Sequence, residues 1–450
     1  MLVIKNATVI QFDPPSVTKG VDVIVKDDTI VDCGVGIGEG YISNAERGND
    51  SGGENIEIID AKGAYVSPGL VCSHNHFYSA LARGITARIK PSTDFVSVLR
   101  NLWWRLDRAL DEESVYYSSI TAALDAIRAG TTAVIDHHAS PSYIKGSLST
   151  LARGFLEVGL RGILAYEVTD RNGMGGAEDG VKENLDFAER ISGGETTNHL
   201  LEAAIGAHAP FTLSERTMEM LAEAVRSTGR GIHIHVAEDA YDPSVSHHFY
   251  GEDITERLER HSLLNEKAIL VHGVYLSDRD IEILNTHNAF LVHNARSNMN
   301  NAVGYNSRIA QVKNLALGTD GIGSDMFEEF KIAFFKHRDA GGSMWPPDFL
   351  RFLHNGNRLL HRYFRKHFGR IEKGYTADIV IYDYNSPTPL TDANVAGHLA
   401  FGPGSSVVDT VIVGGRVVFR NREFPFDVKD IYKRAANVAK KMWERMDEIE

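Results

Sequence analysis

Cysteine is nearly absent: Cys33 and Cys72 are the only two in 450 residues. That excludes a disulfide framework and points to a reducing compartment, the cytoplasm. Long apolar runs are missing as well. None approaches the roughly 18 residues of a membrane-crossing helix, and the opening MLVIKNATVI has the pattern of a strand rather than of a secretion signal. Positive charge is in deficit. The net charge is −13 and no Lys/Arg-rich patch stands out, which argues against a nucleic-acid-binding face. Internal repeats and low-complexity tracts are lacking too.

What remains is the composition of a soluble globular protein, 43% hydrophobic and 24% charged. The length exceeds one ordinary core, so one large domain with a smaller companion is expected. The first 65 residues read as short strands near 2–10, 21–26, 29–33 and 56–60. Between them, residues 34–53 are rich in Gly, Asn and Ser and read as a hairpin or mobile loop. The GVGIGEG there lacks the Lys-Ser/Thr closure and the following helix of a phosphate loop.

From residue 66 to about 321 the pattern changes. Eight short apolar runs, at 66–73, 131–136, 162–167, 203–207, 232–236, 268–271, 289–292 and 315–317, are separated by amphipathic stretches. Those stretches, at 112–129, 147–158, 181–191, 214–228, 255–262 and 278–284, read as helices. Strand alternating with helix implies right-handed crossovers and a parallel sheet, and eight units close a (β/α)8 TIM barrel. A doubly wound sheet is the alternative from the pattern alone. Helical stretches follow at 326–337 and 347–368, hairpin-like strands return at 369–383 and 407–419, and a charged helix closes the chain over 428–450. The expected organisation is an α/β barrel at 66–369, a small β-sandwich domain built from 1–65 and 370–425, and a C-terminal helix at 426–450.

The last residues of each barrel strand face the end where active sites form. Those positions carry His74 and His76, then Asp136, His137 and His138, Glu167, His208, His235 with Glu238, His272, His293 and Asp320. Chance would scatter 19 histidines over the whole chain; their gathering at strand ends favours a metal-dependent site. His74 and His76 share one face of a strand, and neutral imidazole is the commonest metal ligand among side chains. A catalytic zinc takes about three protein ligands and leaves a position for water. In GIHIHVAE either His233 or His235 can be the third. His235 is level with the site; His233 lies a layer deeper, as a buried, hydrogen-bonded histidine. Asp320 in LGTDG either completes the metal shell or caps the following turn. Glu238, three beyond His235, is off the ligand face and suits a general acid/base. His272 in LVHG can polarise the attacked centre or orient the water, and His208 in AHAPFT contacts substrate or makes a structural hydrogen bond. Cys72 reads as a small core residue, His137 and His138 as histidines of the pocket wall, and Trp103-Trp104 as packing for the helix after the first strand.

PGLVCSHNH, HVAE, VHG and LGTDG, in that order and spacing, resemble the metal-dependent amidohydrolase superfamily, within it the cytosine-deaminase-like and chlorohydrolase-like branch. The likeness extends over nearly the whole chain, including ADIVIYD and VIVGGRVVF, which resemble the C-terminal strands of the family's split β domain. It implies that His74, His76, His235 and Asp320 hold one divalent metal ion per chain, usually zinc and sometimes iron. It also implies that Glu238 shuttles a proton, His272 stabilises the attack, Asp320 accepts a proton from water and His208 contacts substrate. Binuclear members carry a carboxylated Lys or a Glu at the end of strand four; here that strand ends in Ile-Gly-Ala-His, so one metal is expected. By ligand type alone zinc, iron and manganese all suit. A homodimer is a family-level expectation. The chain thus reads as a cytoplasmic aminohydrolase deaminating a small amino-substituted heterocycle, a purine, pterin or pyrimidine, with no nucleic-acid or membrane partner. The alternatives are opening of a ring amide, displacement of chloride or alkylamine from a triazine, and an inactive accessory protein in purine breakdown.

Overall fold

Where a strand must bury both faces, both must be apolar, and that condition organises this chain around two kinds of sheet. The computed structural model describes residues 1–48, 56–194 and 199–449. The first strands are β1 (Leu2–Phe12), β2 (Pro15–Lys26), β3 (Thr29–Val35), β4 (Glu57–Asp60) and β5 (Tyr65–Pro68). Next come β6 (Leu70–Asn75), β7 (Thr131–His138), β8 (Arg161–Tyr166), β9 (Leu201–Ala203), β10 (Ile205–Ala207), β11 (Ile232–Val236), β12 (Ile269–His272), β13 (Phe290–His293) and β14 (Leu315–Leu317). β15 (Ile379–Tyr382), β16 (Val408–Val413) and β17 (Arg416–Phe419) complete the set.

The two ends of the chain meet in one sheet of eight strands, in the order β17-β16-β15-β5-β1-β2-β3 with β4 beside β1. The strands of the expected companion domain are thus hydrogen-bonded into one sheet. It curls until the β2–β3 end meets the segment before β15, the Ile30 N–H donating to the Tyr375 carbonyl at 2.8 Å and the Ala377 N–H to the Asp28 carbonyl at 2.8 Å. Side chains alternate across it. Val21, Val23, Val25, Ile379, Ile381 and Ile412 form a core of their own on one face. Val380, Tyr382, Val411 and Val413 turn the other way and join the main core. Two sequence expectations fail here. Residues 34–53 do not form a hairpin or loop throughout, because a helix spans Gly38–Gly48; residues 49–53 lie outside the described part. Residues 369–383 do not fold back on themselves either: β15 pairs with β5 on one side and β16 on the other.

The central strands are parallel and alternate with helices, in two runs ordered β6-β7-β8-β9 and β10-β11-β12-β13-β14. The apolar run at 203–207 is one unit divided at Ala204, its first half pairing with β8 and its second with β11. Asn184 stitches across the division. Its Oδ1 accepts the N–H groups of Tyr166 and Gly206 at 2.9 and 3.2 Å, and its Nδ2 donates to the Tyr166 carbonyl at 2.9 Å. Gly206 permits that approach, since a Cβ there would lie 2.2 Å from the Tyr166 carbonyl oxygen. Bridges at Val168–Ala207 and Asn75–Asp320 join the two runs at both margins.

Helices cover the outer faces. Glu112–Arg128 begins on a capping box in which Asp111 accepts the Ser114 N–H at 2.9 Å and Ser114 Oγ accepts the Asp111 N–H at 2.8 Å. The last helix, Val428–Glu448, buries Ala435, Val438, Ala439, Met442 and Met446, one stripe at helical spacing. No helix among the described residues is long and apolar enough to cross a membrane. One buried ion pair fastens the central strands to the terminal sheet. Arg161 in β8 meets Asp378, just before β15, through Nε–Oδ2 at 2.7 Å and Nη2–Oδ1 at 2.9 Å.

Candidate metal centre

Three strand ends turn sharply to aim side chains at one point. Ala237, His272 and Asp320 all have positive φ, at 48°, 70° and 53°. Each such left-handed residue costs about 1–3 kcal/mol, so the surrounding structure must hold it. Asp242 does so for Ala237, accepting its N–H at 2.8 Å. The His74 carbonyl does so for Asp320, accepting its N–H at 3.1 Å. The first of these turns carries Glu238 off the strand and over the centre.

His74, His76, His235 and Asp320 converge as their spacing suggests. His76 Nδ1 donates to the His137 carbonyl at 2.6 Å and His235 Nδ1 donates to the His208 carbonyl at 2.8 Å. A carbonyl only accepts, so each ring carries its proton on Nδ1 and turns a bare Nε2 inward. Those two Nε2 atoms face each other at 3.2 Å. Asp320 Oδ1 lies 3.0 Å from His76 Nε2 and 3.4 Å from His74 Nε2. His74 is anchored in its turn through Nδ1 to His233 Nε2 at 2.9 Å, while its own Nε2 is buried and makes no hydrogen bond. Acceptor atoms that crowd one point need a positive charge between them, either a proton or a metal ion. Anchoring each imidazole through its other nitrogen is what orients metal ligands. Two groupings lie within bonding reach of a single ion: His74, His235, His272 and Asp320, and His74, His76, His137 and His235. The donor set fits a divalent metal.

Protonation follows from the same geometry. Burial pushes His74 down to about 3. Burial opposes the charge on His76 too, but the Asp320 carboxylate overcomes it and raises the group to about 10. A proton and a metal ion compete for that one position. Burial likewise works against ionising Asp320, yet His74 and His76 hold its carboxyl well below the usual range.

Glu238 stands beside this cluster. Its Oε1 accepts from Asn301 Nδ2 at 3.2 Å and its Oε2 lies 3.5 Å from His272 Nε2. Burial, helped by the Asp320 charge, pushes Glu238 up to about 7. His272 is held through Nδ1 by Asn298 Oδ1 at 2.8 Å, and its Nε2 is 3.9 Å from Asp320 Oδ2. Ser297 Oγ donates to Asp320 Oδ2. His208 bonds Thr212 Oγ1 through Nδ1 at 3.0 Å and lines the adjoining cavity.

That cavity holds about 900 Å³ counted to its open mouth. His76, His235, Glu238, His272 and Asp320 form its floor, and Trp103, Trp104, Phe211 and Tyr241 are among its walls. The tryptophans thus border the site, and do more than pack a helix. His137 and His138 do not line it. His137 lies beneath, stacked on His233 at 4.2 Å with Glu167 3.3 Å from its Nδ1, while His138 bonds Ser140 at 2.9 Å. His293 is also away from the floor, with its ring 5.8 Å from that of Tyr305. Cys72 is buried against Thr319, as a core residue should be. Sequence reasoning missed Ser297, Asn298 and Asn301. Their signal was a polar run directly after β13, in a short helix, Ala295–Asn300, that no apolar periodicity announces.

Comparison with known proteins gives a consistent picture. Residues 65–418 match the model of the amidohydrolase family. A 5-methylthioadenosine/S-adenosylhomocysteine deaminase of Thermococcus onnurineus is 30% identical over 433 positions, which cover 94% of this chain and 95% of that one. A 5′-deoxyadenosine deaminase of Methanosarcina mazei is 29% identical over 462 positions, 99% of each. An adenosine deaminase from Xanthomonas campestris, solved with bound zinc, superposes with a TM-score of 0.82 at 22% identity, covering 100% of this chain and 99% of its own. Atrazine chlorohydrolase from Arthrobacter aurescens, complexed with zinc, gives 0.81 at 19% identity, covering 98% and 100%. The last two share the fold.

Proposed function

The chain belongs to the amidohydrolase family, and on that premise we propose that it removes the amino group of an adenine ring carried on a 5′-substituted ribose. It is a hydrolase of carbon–nitrogen bonds acting on an amino-substituted heterocycle. The observation that carries the reading is the pair of bare Nε2 atoms of His76 and His235 facing each other beside Asp320, with a proton-carrying carboxyl, Glu238, next to them. The adenosine class rests on the relatives named above, and the cavity offers aromatic walls, Trp103, Trp104, Phe211 and Tyr241, against which a planar ring can pack.

His74, His76, His235 and Asp320 would hold one divalent ion, zinc in the first instance. When bound, such an ion supplies Lewis-acid activation of water. Asp320 is placed to take a proton from the attacking water, whose oxygen bonds to the ring carbon bearing the amino group. Glu238, near 7 and so able both to give and to take a proton at neutral pH, protonates the adjacent ring nitrogen. His272, between the two carboxylates, stabilises charge at the attacked centre. Asp320 then passes its proton to the amino group, which leaves as ammonia when the carbon–nitrogen bond breaks. The hydroxyl proton of the adduct returns to Glu238 as the ring carbonyl forms. His208 meets the substrate from the cavity wall.

The same reading makes the two central runs of strands one closed barrel of eight units, with β9 and β10 together as the fourth and the bridges at Val168–Ala207 and Asn75–Asp320 as its seams. Residues 66–369 would be that barrel, and 1–65 with 370–425 its companion. Ammonia release from a panel of 5′-deoxyadenosine, adenosine, guanine, a pterin and a chlorotriazine tests the proposal. Turnover confined to the adenosines is expected; ammonia from none of them, or chloride from the triazine alone, contradicts it.

A further inference from the structure

Beside the catalytic cavity is a second concavity, of about 1620 Å³ counted to its mouth, that the chemistry above does not use. Arg88, Lys90, Arg100, Arg105, Arg108 and Arg171 line it, and Asp447 is the one carboxylate residue in its wall among the described residues. Trp104 and Arg171 line both spaces, so the two adjoin. Five of the six cations come from residues 88–108. They are spaced too widely to form a run, which is why no basic patch shows in the sequence. In a chain of net charge −13 the groove is a local reversal of sign.

Part of this charge is engaged. Arg105 donates through Nε to the Ile449 carbonyl at 3.0 Å and through Nη1 to the Arg88 carbonyl at 2.7 Å. Asp447 accepts the Arg88 N–H at 2.7 Å and lies 3.6 Å from its Nε. Arg171 reaches Asp107 at 3.1 Å and lies 4.6 Å over the Trp104 ring, on the border between the two spaces. Lys90 and Arg100 are exposed, and neither forms an ion pair with a described carboxylate. Like charges that outnumber their counter-charges repel one another, and an anion among them relieves that repulsion. Guanidinium groups present forked donors suited to phosphate and carboxylate oxygens.

We propose that this groove binds an oxyanion, phosphate or carboxylate, carried by the substrate at the end remote from the reacting ring. The inference rests on the deaminase reading for the identity of the ring, but the groove itself does not. Because Trp104 and Arg171 border both spaces, a substrate with its ring at the metal centre and its 5′-substituent extended across them would bring that substituent to the groove. A neutral 5′-substituent leaves Lys90 and Arg100 without an ion pair to a described carboxylate; an anionic one meets them.

The probe that needs no turnover is inorganic sulfate, an oxyanion that binds metals weakly. It is titrated into the metal-loaded protein against sodium chloride of equal ionic strength, with tryptophan fluorescence as the signal. Saturable sulfate binding is expected in the parent and should weaken at least about tenfold in the double variant Lys90→Glu, Arg100→Glu. In parallel, kcat/KM is measured for 5′-deoxyadenosine, adenosine 5′-monophosphate and S-adenosylhomocysteine. The preference for the phosphate or the carboxylate compound over the neutral one should fall at least about tenfold in the variant, through KM. Whichever anionic compound responds identifies the oxyanion. Sulfate binding that is absent, or equal in parent and variant, overturns the groove. Binding that behaves as expected while no compound is deaminated supports the groove and overturns the deaminase reading instead.

Discussion

Glu238 is where proton chemistry and metal binding can be told apart. It is a carboxylate beside the cluster that the ligand count does not need, and its position depends on the turn at Ala237 that Asp242 holds. Gln keeps the shape and a hydrogen bond but cannot carry the proton. In Glu238→Gln, metal content should stay at the parent level while kcat falls at least about a hundredfold. Turnover within a few-fold of the parent would make Glu238 structural and send the proton through Asp320 or His272. The proposed ligands should give a different signature. His74→Ala and His235→Ala should each lose the ion outright by elemental analysis, whereas His233→Ala, which removes only the partner of His74 Nδ1, should retain most of it and lose stability. The reverse pattern would exchange the roles of His233 and His235. The convergence of these residues was legible in spacing, since His-x-His on a strand and a histidine at the end of an apolar run need no tertiary information. Asn298 and Asn301 were not: their meaning arises only when the helix after β13 brings them against His272 and Glu238.

Elements tell a similar story. Alternation of apolar runs with amphipathic stretches marked all eight central units, because burial on both faces leaves a continuous apolar signature. The division of the fourth unit was invisible. It depends on Asn184, a polar residue inside a helical pattern, reaching across to backbone groups some 18 and 22 residues away. The Gly38–Gly48 helix was hidden by glycines that normally mark turns. The Arg161–Asp378 pair could not be foreseen either, with its partners 217 residues apart. Arg161 is 2% exposed. Removing only the carboxylate strands a buried guanidinium, so Asp378→Ala should cost about 3–5 kcal/mol. Denaturant unfolding followed by circular dichroism should show an earlier midpoint, with metal content unchanged in the folded protein. An unaltered midpoint would mean that water or another acceptor takes over the charge.

For the molecule as a whole, the acidic sequence conceals a strongly uneven charge distribution, with six cationic side chains around one groove. Both chain ends build one sheet, and the central strands, pinned to it, present their C-terminal ends as a rigid platform for the cluster. The account stands or falls on one ion at that platform. The most direct measurement is a titration of chelator-treated protein with zinc while ammonia release from 5′-deoxyadenosine is followed. Activity should be absent at first, rise linearly and break at about one equivalent per chain. Full activity without added metal would contradict the account, as would a break at about two equivalents with both required, which would bring in His137, beneath the site, and Glu167, 3.3 Å from it in the cavity lining.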